Sequence, residues 1–132
     1  MARILIAEDE ETLRSLVVRA LAQVGHDVIE AADGAEALEL LARDQGRFDL
    51  LLTDIRMPLM DGIALALAAA RDYPDLVILL MTAYADQRER AAGLEARIHD
   101  VITKPFTLAE IKVAVNEALA ARRDAQASAI NK

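Results

Sequence analysis

Short, largely apolar runs recur along the whole chain, at Ile4–Ala7, Val28–Ala31, Leu50–Thr53, Val77–Met81 and Val101–Thr103. Between them apolar residues return at helical spacing. Leu13, Leu16, Val17, Ala20, Leu21 and Val24 share one face of a first helix, and Leu108, Ile111, Val115 and Leu119 share one face of a last. Five strand–helix units in this order require parallel strands joined by right-handed crossovers. Strands that are apolar on both sides belong in a sheet covered by helices on both faces. The pattern therefore predicts a doubly wound five-stranded parallel α/β sheet. In that architecture ligands collect beyond the carboxyl ends of the strands.

Local signals agree. Gly25 and Gly46 stand where the first two helices stop, supplying the left-handed residue that a helix C-terminus commonly uses. Asp33 and Glu36 bracket the start of the second helix, and Pro74 ends the third. Thr107 followed by Glu110 has capping-box spacing at the start of the fifth. The Ala-rich stretch 121–132 reads as a short C-terminal tail, frayed or disordered, without an effector domain.

The 132 residues suffice for one domain. Aromatics supply 3% of them against 55% hydrophobic, so the core must be aliphatic. With no cysteine there is neither a disulfide framework nor a thiolate metal site. The net charge of −7 argues against a nucleic-acid binder, and the Arg122-Arg123 pair reads as a solvated helix end. Ile4–Ala7 is too short for a membrane span or a signal sequence, so no membrane contact and a cytoplasmic location are expected.

Polar residues appear where the fold rule says to look. The first strand runs into Glu8-Asp9-Glu10-Glu11, the third into Asp54, the fourth into Thr82 and the fifth into Lys104. Two carboxylates about 4 Å apart repel by roughly 4 kcal/mol at an effective dielectric near 20. A raised pKa or a bound cation must relieve that repulsion. Oxygen donors without His or Cys favour Mg²⁺. Adding a lysine and a hydroxyl points to a phosphoryl group, and a carboxylate can attack phosphorus to give an acyl phosphate. Asp54 is the natural nucleophile, with Ala83 small enough to leave its approach open.

These residues carry a resemblance. "ILIAEDE", "DLLLTDIRMPLMDG", "MTA" and "KPF", in this order and spacing, resemble the receiver domain of two-component response regulators, the CheY-like family, over approximately residues 2–120. The resemblance implies a flavodoxin-like strand order 2-1-3-4-5 and phosphorylation of Asp54. Metal ligands would be Glu8, Asp9, Asp54 and the Arg56 carbonyl, holding Mg²⁺, while Thr82 and Lys104 contact the phosphoryl group. It further implies a cis Lys104-Pro105 bond, a sensor histidine kinase or histidine phosphotransfer protein as donor, and an unspecified protein target downstream. The helix-four, strand-five, helix-five surface would report the change. The stretches "RILIAEDE" and "LLTDIRMPLMDGI" are also similar to stand-alone receivers of the CpdR type, which control regulated proteolysis.

Departures from the family are visible. Glu8 stands where Asp is common, so Asp9 is the more direct expected ligand. Arg97-Ile98 replaces a frequent Gly-Ala pair, and Val101 occupies a position that is often aromatic. Val18 and Val113 lie off the apolar helix faces and are candidate partner contacts. Arg56 and Tyr84 are expected to flank the pocket and restrict attacking water, while His26 and His99 suit surface or capping roles. An aspartate-nucleophile phosphohydrolase uses similar chemistry but carries Asp-x-Asp on its first strand, where this chain has Glu8-Asp9-Glu10. A nucleotide or flavin binder is disfavoured because neither GxGxxG nor GxxxxGK is present.

Overall fold

The computed structural model describes residues 1–94 and 97–130. The elements alternate as expected: β1 (Arg3–Ala7), α1 (Glu11–Gln23), β2 (Asp27–Ala31), α2 (Gly34–Arg43), β3 (Leu50–Asp54), α3 (Gly62–Asp72), β4 (Val77–Thr82), α4 (Ala85–Ala92), β5 (Asp100–Thr103) and α5 (Leu108–Ile130). The strands form one parallel sheet in the order β2-β1-β3-β4-β5. The chain reverses direction of winding at β1 and β3, whose carboxyl ends lie side by side, with Ala7 opposite Thr53.

Successive side chains of a strand point to opposite faces, so each strand feeds two cores. Leu5, Leu51, Ile78 and Leu80 pack with residues of α2 and α3, including Leu41, Leu65 and Ala66. Ile4, Ile6, Leu50, Leu52, Leu79 and Met81 pack with Val17 and Leu21 of α1 and Ile111, Val115 and Leu119 of α5. Every residue of β3 is buried, as a central strand covered on both faces requires.

The punctuation is realised in detail. Gly25 and Gly46 take φ of 96° and 68°. The Asp33 carboxylate caps α2 by accepting from the Glu36 amide at 2.8 Å. Thr107 and Glu110 cap each other reciprocally at 3.0 Å. The Lys104-Pro105 bond is cis.

Three expectations need correction. On α1, Leu16 and Val24 are exposed, whereas Val18 is half-buried against the core. The apolar seam is rotated because α1 packs beside α5 as well as on the sheet, and Val24 lies past the last helical turn. Val18 is therefore a packing residue; Val113 is exposed as expected. Arg122 is not a solvated end: it donates to Asp49 at 2.8 Å and to the Asp75 carbonyl at 3.0 Å. Residues 121–130 continue α5 as helix; Asn131 and Lys132 of the expected tail lie outside the described residues. His26 caps no helix: it is half-buried and accepts from the Ala2 amide, just ahead of β1, at 3.2 Å through Nδ1. The exit of α4 includes Glu95 and Ala96, outside the described residues, while Ile98 packs on the core.

Gly62, first residue of α3, lies against the end of β3. A Cβ there would enter the carbonyl oxygen of Asp54 and crowd the Ile55 backbone. Neither neighbour is a flexible side-chain tip, so the strand end or the helix would have to move. We predict that Gly62→Ala lowers unfolding free energy by about 1–3 kcal/mol; an unchanged denaturation midpoint would contradict the packing argument.

Candidate functional site

Four strand ends deliver the site. β1 ends at Ala7 and the next residue, Glu8, is 1% exposed despite its charge. β3 ends on Asp54 itself and β4 on Thr82, both buried. The β5 strand ends at Thr103, and Lys104 follows with its amide donating to the Thr82 carbonyl at 2.8 Å. That backbone bond ties the lysine to the end of β4 and turns its side chain across the edge of the sheet.

The ammonium of Lys104 is the centre of the arrangement. It donates to Glu8 Oε1 and to Asp54 Oδ2, each at 2.8 Å. The second Glu8 oxygen accepts from the Glu10 amide at 3.3 Å, and the second Asp54 oxygen accepts from the Arg56 amide at 3.4 Å. Asp54 thus keeps one oxygen fixed and the other only weakly engaged, at the mouth of the site.

Burial pushes the Glu8 carboxyl up to about 7; its hydrogen bond to Lys104 works against that shift, and the negative charge of Asp54 adds to it. Burial also acts to lower the Lys104 ammonium, but its hydrogen bonds to Asp54 and Glu8 prevail and hold it above its ordinary value. The lysine therefore stays charged at neutral pH while Glu8 titrates near it.

Glu8, Asp9 and Asp54 each offer a carboxylate oxygen, and these lie within 4.8 Å of one another. Asp9 is exposed and the other two are buried, so the cluster opens to solvent on one side. Three hard oxygen donors with no imidazole or thiolate fit a divalent cation of the Mg²⁺ kind. The longer Glu8 side chain does not miss the cluster: the structure brings it in together with Asp9.

Thr82 faces its own loop. Its hydroxyl accepts from the Tyr84 amide at 3.1 Å and donates to the Tyr84 carbonyl at 3.4 Å. Arg56 and Tyr84 meet across the mouth, the guanidinium 5.1 Å from the ring centroid. An apolar pocket of about 270 Å³ lies beside the lysine, lined by Leu13, Ala83, Lys104, Pro105 and Phe106.

Other supporting residues escaped the sequence reading. Thr53 donates from its buried hydroxyl to the Asp54 carbonyl at 3.0 Å. Arg14 donates to the Glu8 carbonyl at 2.8 Å and to Glu30 at 2.9 Å, tying α1 to the acidic loop and to β2. A hydroxyl inside an otherwise apolar strand was a readable sign for Thr53. Nothing in the sequence spacing marked Arg14.

Comparison with known proteins agrees with this geometry. Residues 4–116 match the response regulator receiver domain. Among curated relatives, response regulator MprA of Mycobacterium leprae is 41% identical over 109 residues, 83% of this chain and 47% of that protein. A probable transcriptional regulator, ycf27 of Porphyridium aerugineum, is 36% identical over 129 residues, 98% of this chain and 52% of its own length. The chain thus spans about half the length of these relatives. Among solved structures, a CheY-like receiver from Methanospirillum hungatei superposes with a TM-score of 0.85 at 27% identity, over 94% of this chain and 98% of that one. TrrA of Thermotoga maritima, solved in complex with Mg²⁺-BeF, gives 0.78 at 30% identity over 89% and 99%. Described helices include none long and apolar enough to cross a membrane. Matched over most of its length in sequence and in strand order alike, this chain belongs to the response regulator receiver domain family.

Proposed function

We propose that the chain accepts a phosphoryl group on Asp54 from a histidine kinase or histidine phosphotransfer protein, and that this alters its binding to a protein target. The observation that carries the reading is the Lys104 ammonium held at 2.8 Å from both Asp54 and Glu8, beside three converging carboxylates. The weakly engaged Asp54 oxygen attacks phosphorus. The bond from phosphorus to the donor's imidazole nitrogen breaks with its electron pair staying on that nitrogen; the ring leaves neutral because its other nitrogen carries a proton, and an aspartyl phosphate is formed. Lys104 can then follow the charge from the carboxylate to the phosphoryl oxygens, and the Thr82 hydroxyl can rotate from Tyr84 to donate to one of them.

In this reading Glu8, Asp9, Asp54 and the Arg56 carbonyl hold Mg²⁺, whose charge neutralises the transferring group when bound. Each charge-assisted hydrogen bond is worth about 1.5–3 kcal/mol. Carrying a two-state protein from 1:99 to 99:1 requires about 5.5 kcal/mol. Two such bonds approach that figure at their upper end, so the cation's contribution decides how complete the switch is. A target in regulated proteolysis, of the CpdR type, rests on sequence likeness alone.

Three measurements test the reading. With Mg²⁺ and labelled acetyl phosphate, the protein should take up label that Asp54→Asn abolishes; label retained by that variant, or none in the parent, ends the proposal. A second concerns pH. Because Glu8 binds its proton up to about pH 7, a cation must displace that proton at lower pH. Calorimetry should show Mg²⁺ affinity rising about tenfold per pH unit below 7 and levelling above it, and a flat profile from pH 5.5 to 8 would exclude Glu8 as a ligand. Finally, if the Arg56–Tyr84 contact screens the acyl phosphate from water, Tyr84→Ala should shorten its half-life about two- to fivefold, the scale of an exposed cation–π contact. Equal half-lives would assign the pair no kinetic role.

A further inference from the structure

The described side chains of α4 include two arginines that tie it to other elements. Each of α1, α2 and α3 buries at least three residues. Among the described side chains of α4, Ala91 is the buried one, while Arg88, Glu89 and Arg90 are exposed. Arg88 and Arg90, two residues apart, project about 200° from each other around the helix and flank the face that carries Ala91.

Both arginines reach the protein body. Arg88 Nη1 donates to the Val101 carbonyl at 3.1 Å and to Thr103 Oγ1 at 2.8 Å. Its target, β5, is the edge strand of the sheet, next to Lys104. Arg90 Nη2 donates to Asp61 Oδ2 at 3.2 Å on the other side, and the second Asp61 oxygen caps α3 by accepting from the Ala64 amide. A further anchor is at the entry to α4, where the Tyr84 amide donates to the Thr82 hydroxyl.

We propose that Arg88 and Arg90 form a two-sided polar clamp that holds α4 against the body of the fold, and that this clamp sets how readily phosphorylation of Asp54 releases the helix. The second half rests on the acceptor reading above. A phosphoryl group that recruits the Thr82 hydroxyl as donor takes that donation from the Tyr84 carbonyl and draws on the oxygen that the Tyr84 amide uses, loosening the anchor at the start of α4. Among the described side chains of α4, resistance to movement then comes from the guanidiniums, one gripping β5 and the other the start of α3. The two grips differ in kind. Arg90 meets a carboxylate at an exposed position, an attraction that salt screens. Arg88 meets a carbonyl and a hydroxyl, neutral acceptors that salt affects little.

Hydrogen–deuterium exchange on the unphosphorylated chain separates the two halves. Arg90→Gln should speed exchange of the 84–92 amides up to about fivefold at low ionic strength, with the difference lost near about 1 M NaCl. Arg88→Gln should speed it at both salt concentrations. Amides of α1 serve as the internal control and should not change in either variant. Both variants should also bind beryllofluoride with Mg²⁺ more tightly, by no more than the same factor. Unchanged exchange in both variants overturns the clamp, and faster exchange with unchanged beryllofluoride affinity overturns its link to phosphorylation. Failure of the parent protein to bind beryllofluoride would instead overturn the acceptor reading, leaving the exchange data to judge the clamp.

Discussion

One ammonium makes the site possible. Glu8 and Asp54 are buried carboxylates brought to adjoining strand ends, and leaving them unpaired would cost several kcal/mol in mutual repulsion and desolvation. Lys104 offsets both with two 2.8 Å hydrogen bonds, reaching them from the residue after the edge strand. The partners are separated by 96 and 50 positions in sequence, so the contact exists only once the sheet is assembled in its order. The site is therefore a consequence of topology, and the backbone bond from the Lys104 amide to Thr82 fixes where the lysine begins its reach.

Charge arithmetic explains why the same site suits both a cation and a phosphoryl group. Three ionised carboxylates, Glu8, Asp9 and Asp54, against one ammonium leave two negative charges, the complement of one divalent ion. Without a cation, part of that excess is relieved by proton uptake at Glu8. A pocket that was already neutral would attract no metal, and one lacking the lysine would repel an anionic donor. Burial of Glu8 keeps these effects strong by limiting solvent screening.

Fold and site were legible in the sequence to the extent that each was written in local patterns. Largely apolar runs marked every strand to within a residue at its ends, because strands covered on both faces need apolar side chains on each, with Glu30 and Thr53 among the polar residues inside those runs. Polar residues just beyond those runs marked the site, because the fold leaves that edge of the sheet open. The capping pairs Asp33–Glu36 and Thr107–Glu110 were readable for the same reason, being contacts within one turn. What stayed hidden depends on third partners. Which flank of α1 is covered depends on α5, so Leu16 and Val18 exchange the environments that periodicity assigned them. Arg122 looks like any helix-end arginine until Asp49 is placed beside it. Gly62 reads as a loop glycine until the Asp54 carbonyl occupies the space of its missing side chain.

The two ends of the sheet are built on opposite principles. At the amino ends, Arg3 joins the Asp49 carboxylate through its amide, Asp44 through its guanidinium at 2.6 Å, and the face of Phe48, while Arg122 brings α5 onto the same Asp49. These contacts join β1, the segment leading into β3, the end of α2 and α5. At the carboxyl ends the loops after β3 and β4 meet through side-chain contacts at the surface, Arg56 on Tyr84 and Arg90 on Asp61. Such contacts are individually weak, with exposed ion pairs worth about 0.2–1 kcal/mol each. A perturbation at Asp54 of a few kcal/mol is on the scale of those surface contacts together. Asp54 and α4 both lie at this edge, so the contacts between the loops after β3 and β4 are the ones that such a perturbation meets first.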